Sequence, residues 1–333
     1  MKRLKVALMG LAGVGADYLA AIRSDEQFEL VAVADTDSEV LRRHTDTVAV
    51  GVFEDYRSLI VETAHSGLDL LLVALEPFQS TEFVQMAAAR GIGVFHKAPC
   101  ARNVREAQRL VDQFARSERP LVVSRPWQFE PAYAALNRLT EFTGHVYAAT
   151  ASVQTGDTPV GWRGDLVRAG GGVLLNGAYE AVDMLVHLLG IPERVYAQCS
   201  AAVAPGAPRK YDTEDTAMVL LGFGQERTAC VTVLRGVAEP SWEVAFVGIE
   251  GTVEVRADGL TIIPRDGNLV EYHGARTSSP VAHAISAFGA SRLSGALPLK
   301  SKAEEHLPTL AVIEAAYLSA RTGAPESPSR FPR

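Results

Sequence analysis

An apolar run, Leu4–Met9, leads directly into Gly10-Leu11-Ala12-Gly13-Val14-Gly15, then into an amphipathic stretch and a second apolar run over 30–34 that ends at Asp35. This order restricts the fold more tightly than any other stretch of the chain. Val6, Ala7, Leu8 and Met9 read as a strand buried on both faces, and the glycines stand where such a strand turns sharply into a helix. The turn leaves backbone N–H groups free at the positive end of the helix dipole, where a pyrophosphate binds without any cationic side chain. Residues 30–34 read as the next parallel strand, and Asp35 lies about 20 residues beyond the loop, where a carboxylate accepts from ribose hydroxyls. The layout is that of a dinucleotide-binding βαβ unit. The spacing G-x-G-x-x-G falls on Gly10, Ala12 and Gly15, so a methyl group replaces the middle glycine and Gly13 beside it offers the backbone another path. The expected cofactor contacts are Gly10, Ala12, Gly13, Val14, Gly15, Asp35 and Thr36. Asp35 repels a 2′-phosphate and neither Thr36 nor Asp37 supplies a compensating cation, which selects NAD over NADP.

Alternation continues after Asp35: helix over 37–44, a short strand near 48–50, helix over 56–65, strand over 69–75, helix over 80–90, strand over 93–95, a helix capped by Asn103 and a last strand over 121–123. Successive βα units of this kind make a doubly wound parallel sheet, so residues 1–123 form a Rossmann domain. From Val146 longer strands dominate, over 195–203, 216–222, 228–234, 243–247 and 252–255, separated by Gly224, Gly248 and Asp258-Gly259. They predict an α+β domain over 124–333 with one large, mostly antiparallel open sheet. Its helices are expected over 131–142, over 173–187, over 281–294 and over 303–321, with a loose tail over 324–333.

Composition excludes several classes. A chain of 333 residues that is 47% hydrophobic and 21% charged is globular, not disordered. Its net charge of −7, with no cluster of basic and aromatic residues, argues against a nucleic-acid partner. No apolar run reaches membrane-spanning length, and the basic N-terminus lacks a cleavage-like segment. The three separated cysteines, Cys100, Cys199 and Cys230, suit a reducing, cytoplasmic compartment. No metal site is expected, because the histidines and cysteines lack ligand spacing.

In an open α/β sheet the ligand crevice lies at the carboxyl ends of the strands. Glu76-Pro77 follows one such strand and is expected to touch the nicotinamide ribose. Lys97, in His96-Lys97-Ala98-Pro99, follows another and is the sole lysine between Lys5 and Lys210. An isolated ammonium there suits a group that hydrogen-bonds and exchanges a proton. Behind Gly170-Gly171-Gly172, spacings of 4, 3 and 4 put Asn176, Glu180, Asp183 and His187 on one helical stripe, either a solvent face or the lining of a cleft. Trp162-Arg163 upstream is a candidate substrate contact.

Together these segments resemble the Gfo/Idh/MocA oxidoreductase family, the glucose-fructose oxidoreductase and inositol dehydrogenase group. The resemblance includes the nucleotide loop, the glycine triplet with its helix, Tyr211-Asp212-Thr213-Glu214-Asp215-Thr216-Ala217, Gly251-Thr252-Val253-Glu254-Val255 and the segment from Ala311 to Ala320. It implies a dinucleotide domain, a second domain whose open sheet makes homo-oligomer contacts (a dimer or tetramer), and hydride transfer between NAD and a sugar, polyol or related small molecule. The catalytic motifs depart from the family pattern. Ala98 stands at the usual lysine, Asn176 at the usual aspartate and Glu180 at the usual histidine. Lys97 and Glu180 are therefore the expected acid–base pair, with Asn176 orienting substrate and Tyr179 a further candidate acid. Two alternatives follow from the same departures: a ligand-binding regulatory protein without turnover, and a redox-neutral enzyme that recycles bound NAD.

Overall fold

The computed structural model describes residues 3–45, 50–201, 211–273, 279–294 and 301–331. Its first unit comprises Met1–Ala101, Glu106–Glu130 and Arg276–Glu305. In chain order it contains β1 (Leu4–Met9), α1 (Val14–Ser24), β2 (Phe28–Ala34), α2 (Ser38–Thr45), β3 (Gly51–Phe53), α3 (Tyr56–Thr63), β4 (Leu70–Val73), α4 (Pro77–Ala89), β5 (Gly93–His96), α5 (Val104–Ser117), whose first two residues belong to the second unit, and β6 (Leu121–Val123). The strands pair in parallel in the order β3-β2-β1-β4-β5-β6. Val6, Ala7, Leu8 and Met9 are fully buried, as a central strand covered on both faces requires. Strand order reverses at β1, so the ends of β1 and β4 flank the crevice that such sheets use for ligands. The strand expected near 48–50 lies mostly outside the described residues, and β3 begins just after it.

The second unit comprises Arg102–Arg105, Pro131–Ala275 and His306–Arg333. It contains α6 (Leu139–Thr143), β7 (Val146–Thr155), α7 (Leu166–Ala169), α8 (Val173–Asn176), α9 (Tyr179–Leu189), β8 (Arg194–Ser200), β9 (Thr216–Phe223), β10 (Arg227–Arg235), β11 (Ser241–Gly248), β12 (Gly251–Arg256), β13 (Gly259–Pro264) and β14 (Val270–His273). The chain then returns to the first unit as α10 (Pro280–Ser294), whose Phe288 meets Phe95 edge-to-face at 5.6 Å. It ends in the second unit with α11 (Leu307–Thr322). The eight strands lie in the order β14-β13-β12-β11-β7-β10-β9-β8, antiparallel except for the β7–β10 pair. Helices α8, α9 and α11 pack on one face of this sheet, and on β9 Met218 and Leu220 are exposed while Ala217, Val219 and Leu221 are buried. Among the described residues no helix is long and apolar enough to cross a membrane.

Several expectations need correction. The helix over 131–142 is a 3-10 segment, Pro131–Arg138, followed by the short α6. The helix over 173–187 is broken in two at Gly177-Ala178, where Ala178 leaves the helical region with ψ 5° and both the Gly177 and Ala178 N–H groups donate to the Val173 carbonyl. The tail is tied down over most of its length: Val195 and Glu326 exchange backbone hydrogen bonds at 2.7 and 2.8 Å, and Ser327 caps a final turn. Strands β13 and β14 have no counterpart among the expected strands, since glycine and aspartate punctuate short runs there. The first unit does not stop at residue 123; it extends to Glu130, cedes Arg102–Arg105 and takes in α10 from far along the chain.

Candidate functional site

Backbone geometry builds the nucleotide portion, in the first unit. Gly10 sits at φ 83° and Gly13 at φ 56°, in the region that glycine adopts without penalty. Gly15 admits no side chain, because a Cβ there would overlap the Gly10 carbonyl oxygen. Helix α1 starts at Val14 with no side-chain cap. The Leu11 N–H donates to Asp35 Oδ2 at 2.8 Å, and the Gly15 and Ala16 N–H groups donate to Ala12 and Gly13 carbonyls. The N–H groups of Ala12, Gly13 and Val14 have no acceptor among the described residues, and Ala12 and Gly13 are exposed. A row of unused donors at a helix N-terminus fits a pyrophosphate. Asp35 is only 7% exposed, and its Oδ1 accepts from Asp37 N at 3.0 Å. Each carboxylate oxygen has two lone pairs, so Asp35 braces the loop and keeps acceptor capacity for ribose hydroxyls. Thr36 is exposed beside it. These residues fit NAD.

At the ends of β4 and β5 the fold brings Glu76 and Lys97 together: Lys97 Nζ lies 2.7 Å from Glu76 Oε1, with the side chains 16% and 17% exposed. Glu76 is the N-cap residue of α4, and Pro77 occupies the first helical position, where a missing N–H costs nothing. His96 is fully buried between Ser80 Oγ at 2.7 Å and the Lys97 carbonyl at 2.6 Å. A carbonyl only accepts, so Nδ1 carries the proton and Nε2 accepts from Ser80. Burial, against a smaller opposing pull from that carbonyl and with the Lys97 charge adding to it, lowers the His96 pKa to about 4 and keeps the ring neutral. Ala98, half-buried, contributes no titratable group.

In the second unit the glycine triplet anchors α8. Glu214 accepts from Gly172 N at 2.6 Å, from Leu174 N at 2.9 Å and from the Tyr317 hydroxyl at 2.8 Å, while that hydroxyl accepts from Leu175 N at 3.2 Å. Side chains at Gly171 or Gly172 would overlap Tyr317 or Glu214. Asn176 donates its amide back to the carbonyls of Gly171 and Gly172 at 2.8 and 3.2 Å, which orients Oδ1 as an acceptor. Beyond the break, Glu180 occupies the first turn of α9; it is exposed to solvent yet crowded by protein, and desolvation, reinforced by the Asp183 charge, raises its carboxyl above the ordinary value.

The single polar stripe does not survive folding. Asp183 is buried, accepts from Thr309 Oγ1 at 2.9 Å and lies 3.6 Å from His306 Nδ1, whereas His187 is exposed. Tyr179 is also buried, with its ring stacked on His306 and its hydroxyl 3.0 Å from the same Nδ1. His306 escaped sequence reading because it belongs to no spacing pattern and meets Tyr179 only through the fold. Trp162 and Arg163 share the 3-10 turn Gly161–Gly164, with the guanidinium 4.6 Å above the indole ring and the Arg163 carbonyl held by Thr213. Arg163 is thereby presented as a flat, exposed donor.

Known proteins share this architecture. Residues 4–124 match the family model described as oxidoreductase family, NAD-binding Rossmann fold, and residues 138–254 match the GFO/IDH/MocA C-terminal domain. The chain is 28% identical to a D-apiose dehydrogenase of Paraburkholderia graminis, over 97% of this chain and 89% of that protein. It is 25% identical to a D-xylose 1-dehydrogenase (NADP(+)) of Haloferax volcanii, over 95% and 97% respectively. The WlbA dehydrogenase of Bordetella pertussis, solved with NADH and UDP-GlcNAcA, shares the fold with a TM-score of 0.80 at 22% identity, covering 98% of this chain and 99% of that one.

Proposed function

The chain belongs to the Gfo/Idh/MocA oxidoreductase family, and from that premise we propose that it oxidises a secondary or hemiacetal hydroxyl of a sugar or polyol, with NAD as cofactor and Glu180 as proton acceptor. The observation that carries this reading is Glu180 itself: an accessible carboxylate with raised proton affinity, at the position where the family has its histidine. An ordinary glutamate is a weak base at neutral pH, and the raised value brings it closer to the working range.

When bound, NAD supplies the hydride acceptor. The N–H groups of Ala12, Gly13 and Val14 hold its pyrophosphate, and Asp35, flanked by Thr36, accepts from ribose and disfavours a 2′-phosphate. In the first unit Lys97 is paired with Glu76, which holds its Nζ in place as a hydrogen-bond donor. Glu180 takes the hydroxyl proton, Asn176 Oδ1 accepts from a neighbouring hydroxyl, and Arg163 on Trp162 binds a further oxygen. Tyr179 serves as support for the α9 turn through His306.

Purified protein with NAD, followed by nicotinamide absorbance against D-apiose, D-xylose, inositols and UDP-linked sugars, tests the reading. Turnover on at least one, lost in Glu180→Gln with NAD affinity retained, is the expected result; no reduction of NAD on any member of the panel sinks it. We further propose a homo-oligomer, a dimer or tetramer, built on the sheet face that exposes Met218 and Leu220, and a cytoplasmic location consistent with three free cysteines.

A further inference from the structure

Residues 211–215 of the second unit tie together the two stretches of chain that carry Arg163 and Asn176. Toward Arg163, the fully buried Thr213 hydroxyl donates to the Arg163 carbonyl at 2.9 Å and Asp212 N donates to the Gly164 carbonyl at 3.0 Å. Leu166 N in turn donates to Asp212 Oδ1 at 2.6 Å. Toward Asn176, the Glu214 carboxylate accepts from Gly172 N and Leu174 N, and the Glu214 carbonyl accepts from Val173 N at 3.1 Å. One residue thus takes up three N–H groups at the start of α8. Glycine permits both approaches, since a side chain at Gly164 would overlap Tyr211 and one at Gly172 would overlap Glu214.

The segment is itself fixed to the sheet. Asp215 N donates to the Ser200 carbonyl at the end of β8, and Arg235 N at the end of β10 donates to the Asp215 carbonyl, both at 2.9 Å. The Tyr211 hydroxyl donates to Asp215 Oδ2 at 2.7 Å. The Arg235 guanidinium, 2% exposed, lies 3.6 Å from Asp215 Oδ1 and 3.5 Å from Thr213 Oγ1. Thr213 and Glu214 are adjacent, so the turn that presents Arg163 and the helix that ends at Asn176 share one support. Binding groups carried on separate loops keep a productive geometry only while their support holds still.

We propose that Thr213 and Glu214 are positioning residues that hold Arg163 and Asn176 at a fixed spacing for substrate, which rests on the reading above that those two side chains bind it.

The test uses the intact protein with NAD and the sugar of the panel that turns over fastest. Thr213→Val and Glu214→Gln are each expected to raise KM about tenfold while kcat changes by less than about threefold. Thr213→Ser, which keeps the hydroxyl, should return KM to near wild type. A second readout needs no substrate. Fluorine NMR of protein labelled with fluorotryptophan gives one signal each for Trp127, Trp162 and Trp242, and Trp162→Phe assigns the signal of the Arg163 turn. Thr213→Val should move that signal, Thr213→Ser should leave it in place, and neither should move the other two. Thr213→Ala and Tyr317→Phe repeat the comparison should either variant disturb folding. A Trp162 signal unmoved by Thr213→Val, all three signals moving together, KM unchanged in both variants, or a loss of kcat without a rise in KM overturns the proposal. No turnover on any sugar sinks the sugar reading and leaves the Trp162 signal to decide whether the shared support holds.

Discussion

The glycine loop of the first unit and the α8–α9 segment of the second perform their tasks with different parts of the chain. The loop works through backbone N–H groups whose directions are set by Gly10, Gly13 and Gly15, so Ala12 is tolerated where a glycine is usual. In the α8–α9 segment the proposed roles fall to side chains, and Asn176, Tyr179 and Glu180 each meet a group that orients or perturbs it: the Gly171 carbonyl, His306 and Asp183. Alanine at position 12 leaves the backbone donors of the loop in place, whereas in the proposed mechanism glutamate in place of a histidine at position 180 changes which proton affinity is needed and how it is obtained. A family pattern therefore transfers safely where backbone does the binding, and must be worked out again where side chains do the chemistry.

The sharpest way to break this contrast is Gly15→Val. The new Cβ would meet the Gly10 carbonyl, backbone that cannot swing aside, and NADH affinity measured by fluorescence should fall on the order of 10³-fold. Affinity near wild type would show that the loop does not depend on its backbone path.

Glu180→Gln should lower kcat by about 10² to 10³-fold while NADH affinity stays unchanged. Stability should respond in the opposite sense. A carboxyl whose folded-state pKa is raised contributes stability below its unfolded value and loses it as pH rises through the folded one. The glutamine variant escapes that loss, so its Tm should exceed wild type at neutral pH and the gap should close toward pH ~4. Equal Tm values at both pH extremes would remove the argument that desolvation and the Asp183 charge raise the Glu180 carboxyl.

His96 gives a smaller effect that belongs to the first unit. Its folded pKa of about 4 lies below the unfolded value, so its contribution is present above pH ~6.5 and lost as pH falls through about 4. That difference amounts to roughly 3 kcal/mol at most. Acid unfolding followed by tryptophan fluorescence should show a shallower acid limb in His96→Gln. Smallest is Asp35→Asn, which weakens the brace on Leu11 N and the ribose acceptor together. NADH affinity should drop about tenfold and the preference over NADPH should narrow, measured by parallel titrations.

Much of the fold was legible because periodicity reports burial. The central parallel strands β1, β4 and β5 are almost continuously apolar, as strands covered on both faces must be. The glycine loop and Asp35 were equally legible, since their spacing reflects local turn geometry. The cofactor portion of the site thus came from residues close in sequence. The second unit was harder. Its short strands β13 and β14 carry little pattern, and the helix over 173–187 is interrupted at Gly177-Ala178 although its apolar spacing runs on through the break.

By itself the sequence determined the alternation of strands and helices in the first unit, the nucleotide loop and its fit to NAD, all consequences of local spacing and hydrophobic period, and its motifs carried the resemblance to the family. Only the tertiary structure decided that Lys97 pairs with Glu76, that Asp183 is buried beside His306 and not on an open stripe, that Glu214 and Tyr317 anchor the glycine triplet, and that α10 returns to the first unit. Those outcomes join residues separated by tens to hundreds of positions. Desolvation and partner charge, which set proton affinity, exist only once such residues have been brought together.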